Sequence, residues 1–421
     1  MSNNKVLNKS RGVSYLGISV VIFGFLSFSC HRIKTATPSP VSAANNSTQS
    51  IGQSDWSWKT AAGGRKSFDE VRETIKGTME AQGIVGVSLA LKQGTIWYQR
   101  PKSFLLDLGT ENPESGKKID GSTVFRGGNL SEPIVAYIVL KLASLGTIDI
   151  DRPLSAYIAK TSLMDSDWND LLKDPLSKRL TARRILSHQS GLAFSRIGDP
   201  DHRLRFESSP GKSFRYSKDA YPLLYPILER ITDRKLKELA EAMVFDPIGM
   251  PNSSFGFESR FEGHIAFIDQ NEPVEQNAFF TTAADFTKFT WLLTITGLDL
   301  SREYATAYCG FAESAVQAPS MINTSISDNR AIIPKGLSWF LGWGRYELPR
   351  VSLGNCFFMG ETNEGRESYS TAFLSQNSTV LTIFLAGIKR ETCMPRIIKE
   401  ILGDIETPLA WMGFENPSVI R

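Results

Sequence analysis

The sequence predicts an α/β fold of the α+β kind. One antiparallel sheet is built from both ends of the chain and flanked by N- and C-terminal helices, with a helical subdomain inserted at about 130–290. Three observations predict it. A helix followed by strand-like runs opens the body of the chain. Strand-like runs followed by a helix close it. The long middle is helical and loop-rich. At 421 residues the chain suits one large domain, or two subdomains around one cleft. No internal repeat is visible.

Each element has its own signal. Ser67 to Gln82 sets Val71, Ile75 and Met79 on one helical face. Ile84 to Leu91 is a compact apolar run that reads as a strand. A second short strand, Ile96 to Tyr98, follows the Gln93-Gly94 turn. Pro133 opens an apolar helix over Ile134 to Leu145, and Gly146 stops it. Helical spacing returns at Thr181 to Ser187, Ala220 to Ile231 and Lys235 to Val244. Ser368 to Ser375 and Val380 to Ile388 read as strands, and Met394 to Leu402 as the last helix.

The N-terminus reads differently. Lys5, Lys9 and Arg11 precede an apolar run from Val13 to Phe28, and Ser29 leads into Cys30. A basic start, a short apolar stretch and a small residue before the break mark a secretory signal over 1–30. The run is short for a membrane span. Cys30 sits where a bacterial lipoprotein is cleaved and lipidated, although Leu26 stands one place early; an uncleaved anchor is the alternative. Residues 31–64 are rich in Ser, Thr, Asn, Pro and Ala and read as a flexible tether. The domain is then expected over 65–410, with a tail at 411–421. An exported, membrane-anchored envelope protein follows from this reading.

Composition excludes several classes. Net charge is +3, with no basic stripe interleaved with aromatics, which argues against nucleic acid as a partner. The 4 cysteines and 4 histidines show no metal-ligand spacing, so neither a metal nor another cofactor is expected. Cys309, Cys356 and Cys393 allow one disulfide and one free thiol, in a pairing that spacing does not select.

A set of landmarks runs through the chain in order. Thr123-Val124-Phe125-Arg126 leads to Asn129-Leu130-Ser131-Glu132-Pro133, and Leu145-Gly146-Thr147-Ile148-Asp149-Ile150-Asp151-Arg152-Pro153-Leu154 follows. Later come Leu186-Ser187-His188-Gln189-Ser190-Gly191-Leu192, Pro210-Gly211 to Tyr216-Ser217, Phe245-Asp246-Pro247-Ile248-Gly249-Met250, Thr282-Ala283-Ala284-Asp285-Phe286 and Leu341-Gly342-Trp343-Gly344. Together they resemble the serine β-lactamase and penicillin-binding-protein family, in its class C and esterase-like branch. The resemblance covers most of the chain after residue 67.

That resemblance implies an acyl-enzyme mechanism: a serine attacks a carbonyl, a lysine three residues later helps remove its proton, and a tyrosine assists. Aligned on the landmarks, the serine position is Asn129 and the lysine position is Glu132. An asparagine amide is no useful nucleophile, and Glu132 reverses the local charge. Ser209 to Lys212 and Ser115 to Lys118 repeat the spacing, but in loops rather than at a helix start. The second motif reads Tyr216-Ser217-Lys218. Its tyrosine survives, but without the neighbouring lysine its pKa is expected to rise, leaving it a hydrogen-bonded cleft residue. The third motif, basic in the family, reads Phe358-Met359-Gly360, with Phe358 or Met359 at the basic position. Glu132 and Lys218 are expected to form an ion pair across the old site, with a simply solvated Lys218 as the alternative. His188 is read as satisfying backbone groups, and Trp339 and Trp343 as packing or lining the cleft.

Losses at three motif positions point to a pseudoenzyme that binds a peptidoglycan fragment, a peptide or an envelope protein in its cleft. Two alternatives stay open. One is an active β-lactamase, D-amino-acid peptidase or esterase with a non-standard nucleophile, including a two-carboxylate scheme using Glu132 with Glu361 or Glu364. The other is a purely structural lipoprotein.

Overall fold

The computed structural model describes residues 56–94, 101–158, 166–266, 276–291, 337–348, 355–363, 365–373, 378–388 and 393–409, with positions 412 and 414. The expected signal, Cys30, most of the tether, Cys309 and the strand at Ile96 to Tyr98 lie outside them. Among the described residues no helix is long and apolar enough to cross a membrane.

The body starts earlier than residue 65. Strand β1 (Ser57–Lys59) pairs antiparallel with β2 (Arg65–Ser67). The reason is Trp58, which is buried and donates its indole N–H to the Ile401 carbonyl at 2.9 Å. One aromatic anchor thus converts the end of the expected tether into structure. Helix α1 (Phe68–Gln82) begins at a capping box, in which Ser67 and Glu70 satisfy each other's backbone N–H groups. It ends where Gly83 takes a left-handed φ of 71°. Its buried face is Phe68, Val71, Ile75 and Met79, the period read from the sequence.

Strands β3 (Gly86–Gly94) and β4 (Lys102–Gly109) follow as an antiparallel pair. Gln93 and Gly94 continue β3 rather than turning the chain, because Gln93 bonds both Lys59 and Thr379. Strand β5 (Phe125–Arg126) leads through a 3₁₀ turn, Gly128–Leu130, into helix α2 (Ser131–Ser144). Every residue of α2 from Glu132 to Leu140 is buried, as expected of a helix that is apolar all round.

The insertion contributes helix α3 (Ala182–Leu186), capped by Thr181, and helix α4 (Tyr225–Thr232). Strands β6 (Ser254–Phe255) and β7 (Phe279–Thr281) join β5 in a small sheet ordered β5-β7-β6. Helix α5 (Ala283–Trp291) packs across β3 and the closing strands. Strands β8 (Leu337–Trp339), β9 (Gly344–Glu347), β10 (Asn355–Asn363), β11 (Arg366–Phe373) and β12 (Ser378–Ala386) complete a seven-stranded sheet ordered β4-β3-β12-β11-β10-β9-β8. All its pairings are antiparallel. The sheet is therefore built from both ends of the chain, with β3 from the beginning seated beside β12 from the end. Helix α6 (Met394–Leu402) packs against α1. The expected tail is partly structured: Phe414 is fully buried against Tyr369.

Cys356 and Cys393 are both buried, and no disulfide joins one to the other. Burial pushes the Cys356 thiol up to about 12 and the Cys393 thiol to about 11. Neither is a thiolate nucleophile near neutral pH.

One strand pair has a pH signature. Burial pushes the Asp107 carboxyl up to about 6, against the 2.7 Å hydrogen bond from Ser88. The folded protein then binds this proton more tightly than the unfolded chain. Its favourable effect is complete below the unfolded aspartate range and is lost as pH rises from about 4 to about 6. Asp107→Asn is expected to flatten that fall by about 2 kcal/mol, read from urea midpoints across the same pH range. An unchanged slope would refute the assignment.

Candidate active site

The cleft forms where the start of α2, the loop after α3, the Tyr216 loop and strand β10 meet. Asn129 lies in the 3₁₀ turn that opens α2, and Glu132 lies in the helix's first turn with only 4% of its surface exposed. A carboxylate so deeply buried needs partners. Among the described residues it has two: the Tyr216 hydroxyl donates to Oε1 at 2.7 Å, and His188 Nε2 lies 3.1 Å from Oε2.

Lys218 is not one of them. It is exposed, and its ammonium sits 5.4 Å from the centre of the Phe194 ring. The expected Glu132–Lys218 ion pair is therefore replaced by a Tyr216–Glu132–His188 cluster. The reason is burial: Glu132 points into the interior, where an aromatic phenol and an imidazole can follow it, while a lysine head stays in water.

His188 also departs from its expected role. Its ring meets the Glu132 carboxylate rather than backbone groups, and it is fully buried. Its backbone is held at φ 50°, which side-chain-bearing residues rarely adopt. Two backbone bonds fix it there: His188 N–H donates to Ile185 O at 2.9 Å, and Arg215 N–H donates to His188 O at 2.7 Å. Around the imidazole stand Tyr216, Trp339, Tyr221 and Phe214, with ring centres 4.2 to 5.8 Å away. The pair Glu132–His188 spans 56 positions of chain, so no local pattern announces it.

Burial holds the Tyr216 phenol well above its ordinary range, and the Glu132 charge adds to the effect. Tyr216 therefore remains a protonated donor near neutral pH and is no base.

At the third motif, Phe358 and Met359 are buried in β10. The Phe358 ring lies edge-on to Trp339, 6.1 Å between centres, and over Gly344, where a Cβ would strike it. An aromatic wall thus stands at the position that is basic in the family. Gly360 faces Tyr369 across the β10–β11 ladder, and its carbonyl lies 3.5 Å from the Asn129 amide nitrogen.

Glu361 follows Gly360 and is partly buried. Its Oε2 accepts from the Asn129 backbone N–H at 3.0 Å. Burial raises its carboxyl above the usual range, while the charges of Lys218 and Arg366 and the Asn129 N–H oppose that rise. Sequence reading considered Glu361 only as half of a two-carboxylate pair; the signal that links it to Asn129 is a side chain reaching between residues 232 positions apart. Glu364 lies outside the described residues.

The two other Ser-x-x-Lys candidates lie outside this site. Ser115 is in an exposed turn bonded to Asn112, and Ser209 accepts from Arg179. No group of acidic, histidine or cysteine residues that could hold a metal ion occurs among the described residues.

The comparisons with known proteins agree with this architecture. The Beta-lactamase family model matches residues 71–337. Esterase EstB from Burkholderia gladioli is 26% identical over 222 residues, which is 46% of this chain and 53% of the esterase. The chain thus spans about half the length of that relative. Among solved structures, the D-alanine carboxypeptidase AmpC from Burkholderia cenocepacia superposes with a TM-score of 0.59 at 16% identity, covering 80% of this chain and 98% of that one. A beta-lactamase/D-alanine carboxypeptidase from Yersinia pestis, complexed with citrate, gives 0.57 at 15% identity, covering 80% and 97%. The octameric penicillin-binding protein homologue from Pyrococcus abyssi gives 0.58 at 15%, covering 83% and 78%. At these identities the structures establish the fold alone.

Proposed function

The chain belongs to the beta-lactamase family, and from that premise we propose that it is a catalytically inactive member whose cleft has a binding role at the bacterial envelope. The observation that carries the reading is the pairing of Asn129 with a buried Glu132. The nucleophile position holds an amide. The position that would carry its ammonium partner holds a carboxylate, already engaged by Tyr216 and His188. The Tyr216 hydroxyl spends its proton on Glu132, so it has none to pass to a leaving group. In this reading the signal at 1–30 exports the chain and lipid on Cys30 anchors it to the membrane. The cleft then takes a peptidoglycan fragment, a peptide or an envelope protein, without acylation.

The likeness to an esterase and to a D-alanine carboxypeptidase favours a second reading, an active hydrolase with another nucleophile. One experiment separates the two. The full-length chain is incubated with a reactive labelled penicillin and weighed intact, beside the double variant Asn129→Ser, Glu132→Lys. We expect no adduct on the native protein. A stable adduct mapping to the cleft would refute inactivity and identify the nucleophile.

A further inference from the structure

We infer that Glu361 is an internal stopper, whose carboxylate occupies the place an acyl oxygen would take beside residue 129. The inference rests on the reading above that residue 129 marks the nucleophile position.

Three placements support it. The Asn129 backbone N–H donates to Glu361 Oε2 at 3.0 Å. In acyl transfer, a backbone N–H at the nucleophile is a donor that steadies the oxyanion. Here that donor is already used by the chain's own carboxylate. Space is also reserved for the stopper. Gly128 has φ 52°, and a Cβ on it would collide with Glu361 Oε2. Finally, cations stand where the stopper's charge needs them. Lys218 and Arg366 both act favourably on Glu361, and Glu132 acts against it. This gives Lys218 the electrostatic partner that Glu132 does not provide.

The consequence concerns specificity. Restoring the serine and lysine alone leaves an incoming carbonyl without its donor and facing a carboxylate. Acylation of an introduced serine forms an ester from its Oγ to the lactam carbonyl carbon and breaks the lactam C–N bond. The hydroxyl proton passes to the ring nitrogen through the introduced lysine. The carbonyl oxygen becomes anionic on the way, at the place where Glu361 now sits.

Two measurements on the full-length chain test the proposal. Hydrogen exchange at the Asn129 amide, resolved by fragmentation mass spectrometry, is compared among native protein, Glu361→Ala and Glu361→Gln. Exchange is expected to quicken about tenfold in Glu361→Ala, with the amides of α2 from Ile134 onward unchanged. The near-isosteric Glu361→Gln, which keeps an acceptor, should show a smaller rise and serves if the alanine variant does not fold. Penicillin acylation is then compared between Asn129→Ser, Glu132→Lys and the same pair with Glu361→Ala. The triple variant is expected to react about a hundredfold faster. Equal exchange in the native protein and both Glu361 variants, or equal acylation of the double and triple variants, overturns the proposal. If neither variant acylates, the exchange result decides alone. An adduct on the native protein would instead sink the inactive reading, leaving the exchange result to stand or fall by itself.

Discussion

Replacing Glu132 with alanine is expected to cost about 4 kcal/mol of folding stability, the largest effect of any single change in the cleft. The sign runs against intuition, because Glu132 is a carboxylate buried in the first turn of α2. Its removal ends one desolvation penalty. It also strands the Tyr216 hydroxyl and the His188 Nε2, whose hydrogen-bond partners among the described residues are the Glu132 oxygens, at 2.7 and 3.1 Å. Each buried donor left without an acceptor costs about 1–3 kcal/mol, and the vacated volume adds to this. Glu132→Gln keeps one acceptor oxygen and should cost only about 1–2 kcal/mol. Tyr216→Phe removes a donor and leaves Glu132 with His188, so it should also be mild. Urea denaturation with a constant slope reads all three. If Glu132→Ala stays within about 1 kcal/mol of native, the cluster is not a unit of stability and the cleft is looser than its geometry says.

On the inactive reading proposed above, the same cluster would let a family member lose its chemistry and keep its fold. A buried lysine and a buried glutamate at position 132 need different surroundings. The glutamate is accommodated by two donors whose rings are already part of the aromatic wall of Trp339, Phe214 and Tyr221. Stability is then tied to Tyr216, the position whose tyrosine assists in the mechanism that the resemblance implies. Glu132→Lys alone would put an ammonium against the phenol hydrogen and the imidazole N–H, which is why reversion needs to be read by acylation and by stability together.

How much of this was legible in the sequence depends on the range of each interaction. Helix α1 was readable because its capping box and apolar face are local, repeating within fifteen residues. The closing strands were readable because β12 is buried along its whole length, which leaves a run from Val380 to Ala386 that is apolar but for Thr382. The start of the body was misplaced because Trp58 finds its partner at Ile401, a contact that a tether-like composition conceals. In the site, the identities of Asn129, Glu132 and Tyr216 followed from order along the chain, and their convergence from the resemblance. Their partners did not follow. Charge complementarity proposed Lys218 for Glu132, but sign carries no information on reach. Lys218 is exposed over Phe194, and the interior partner is His188, assigned by sequence to a structural turn. Glu361 escaped because its role depends on which face of β10 meets the 3₁₀ turn, and that register is set by pairing with β9 and β11.

That register leads to the second large effect, expected at Gly128. An alanine there should cost about 3 kcal/mol, from two separable sources. The first is backbone strain, since φ 52° is a left-handed conformation that a Cβ disfavours by about 1–2 kcal/mol. The second is the collision with Glu361 Oε2. Because that oxygen is the end of a flexible side chain, it can move aside, but only by giving up the Asn129 N–H, a charge-assisted bond worth about 1.5–3 kcal/mol. The double variant Gly128→Ala, Glu361→Ala isolates the two. With the carboxylate gone, Gly128→Ala should cost only its strain, so the two substitutions are expected to be non-additive by about 1–2 kcal/mol. Strict additivity would mean that Gly128 is present for the turn alone, and that the space filled by Glu361 is incidental to it.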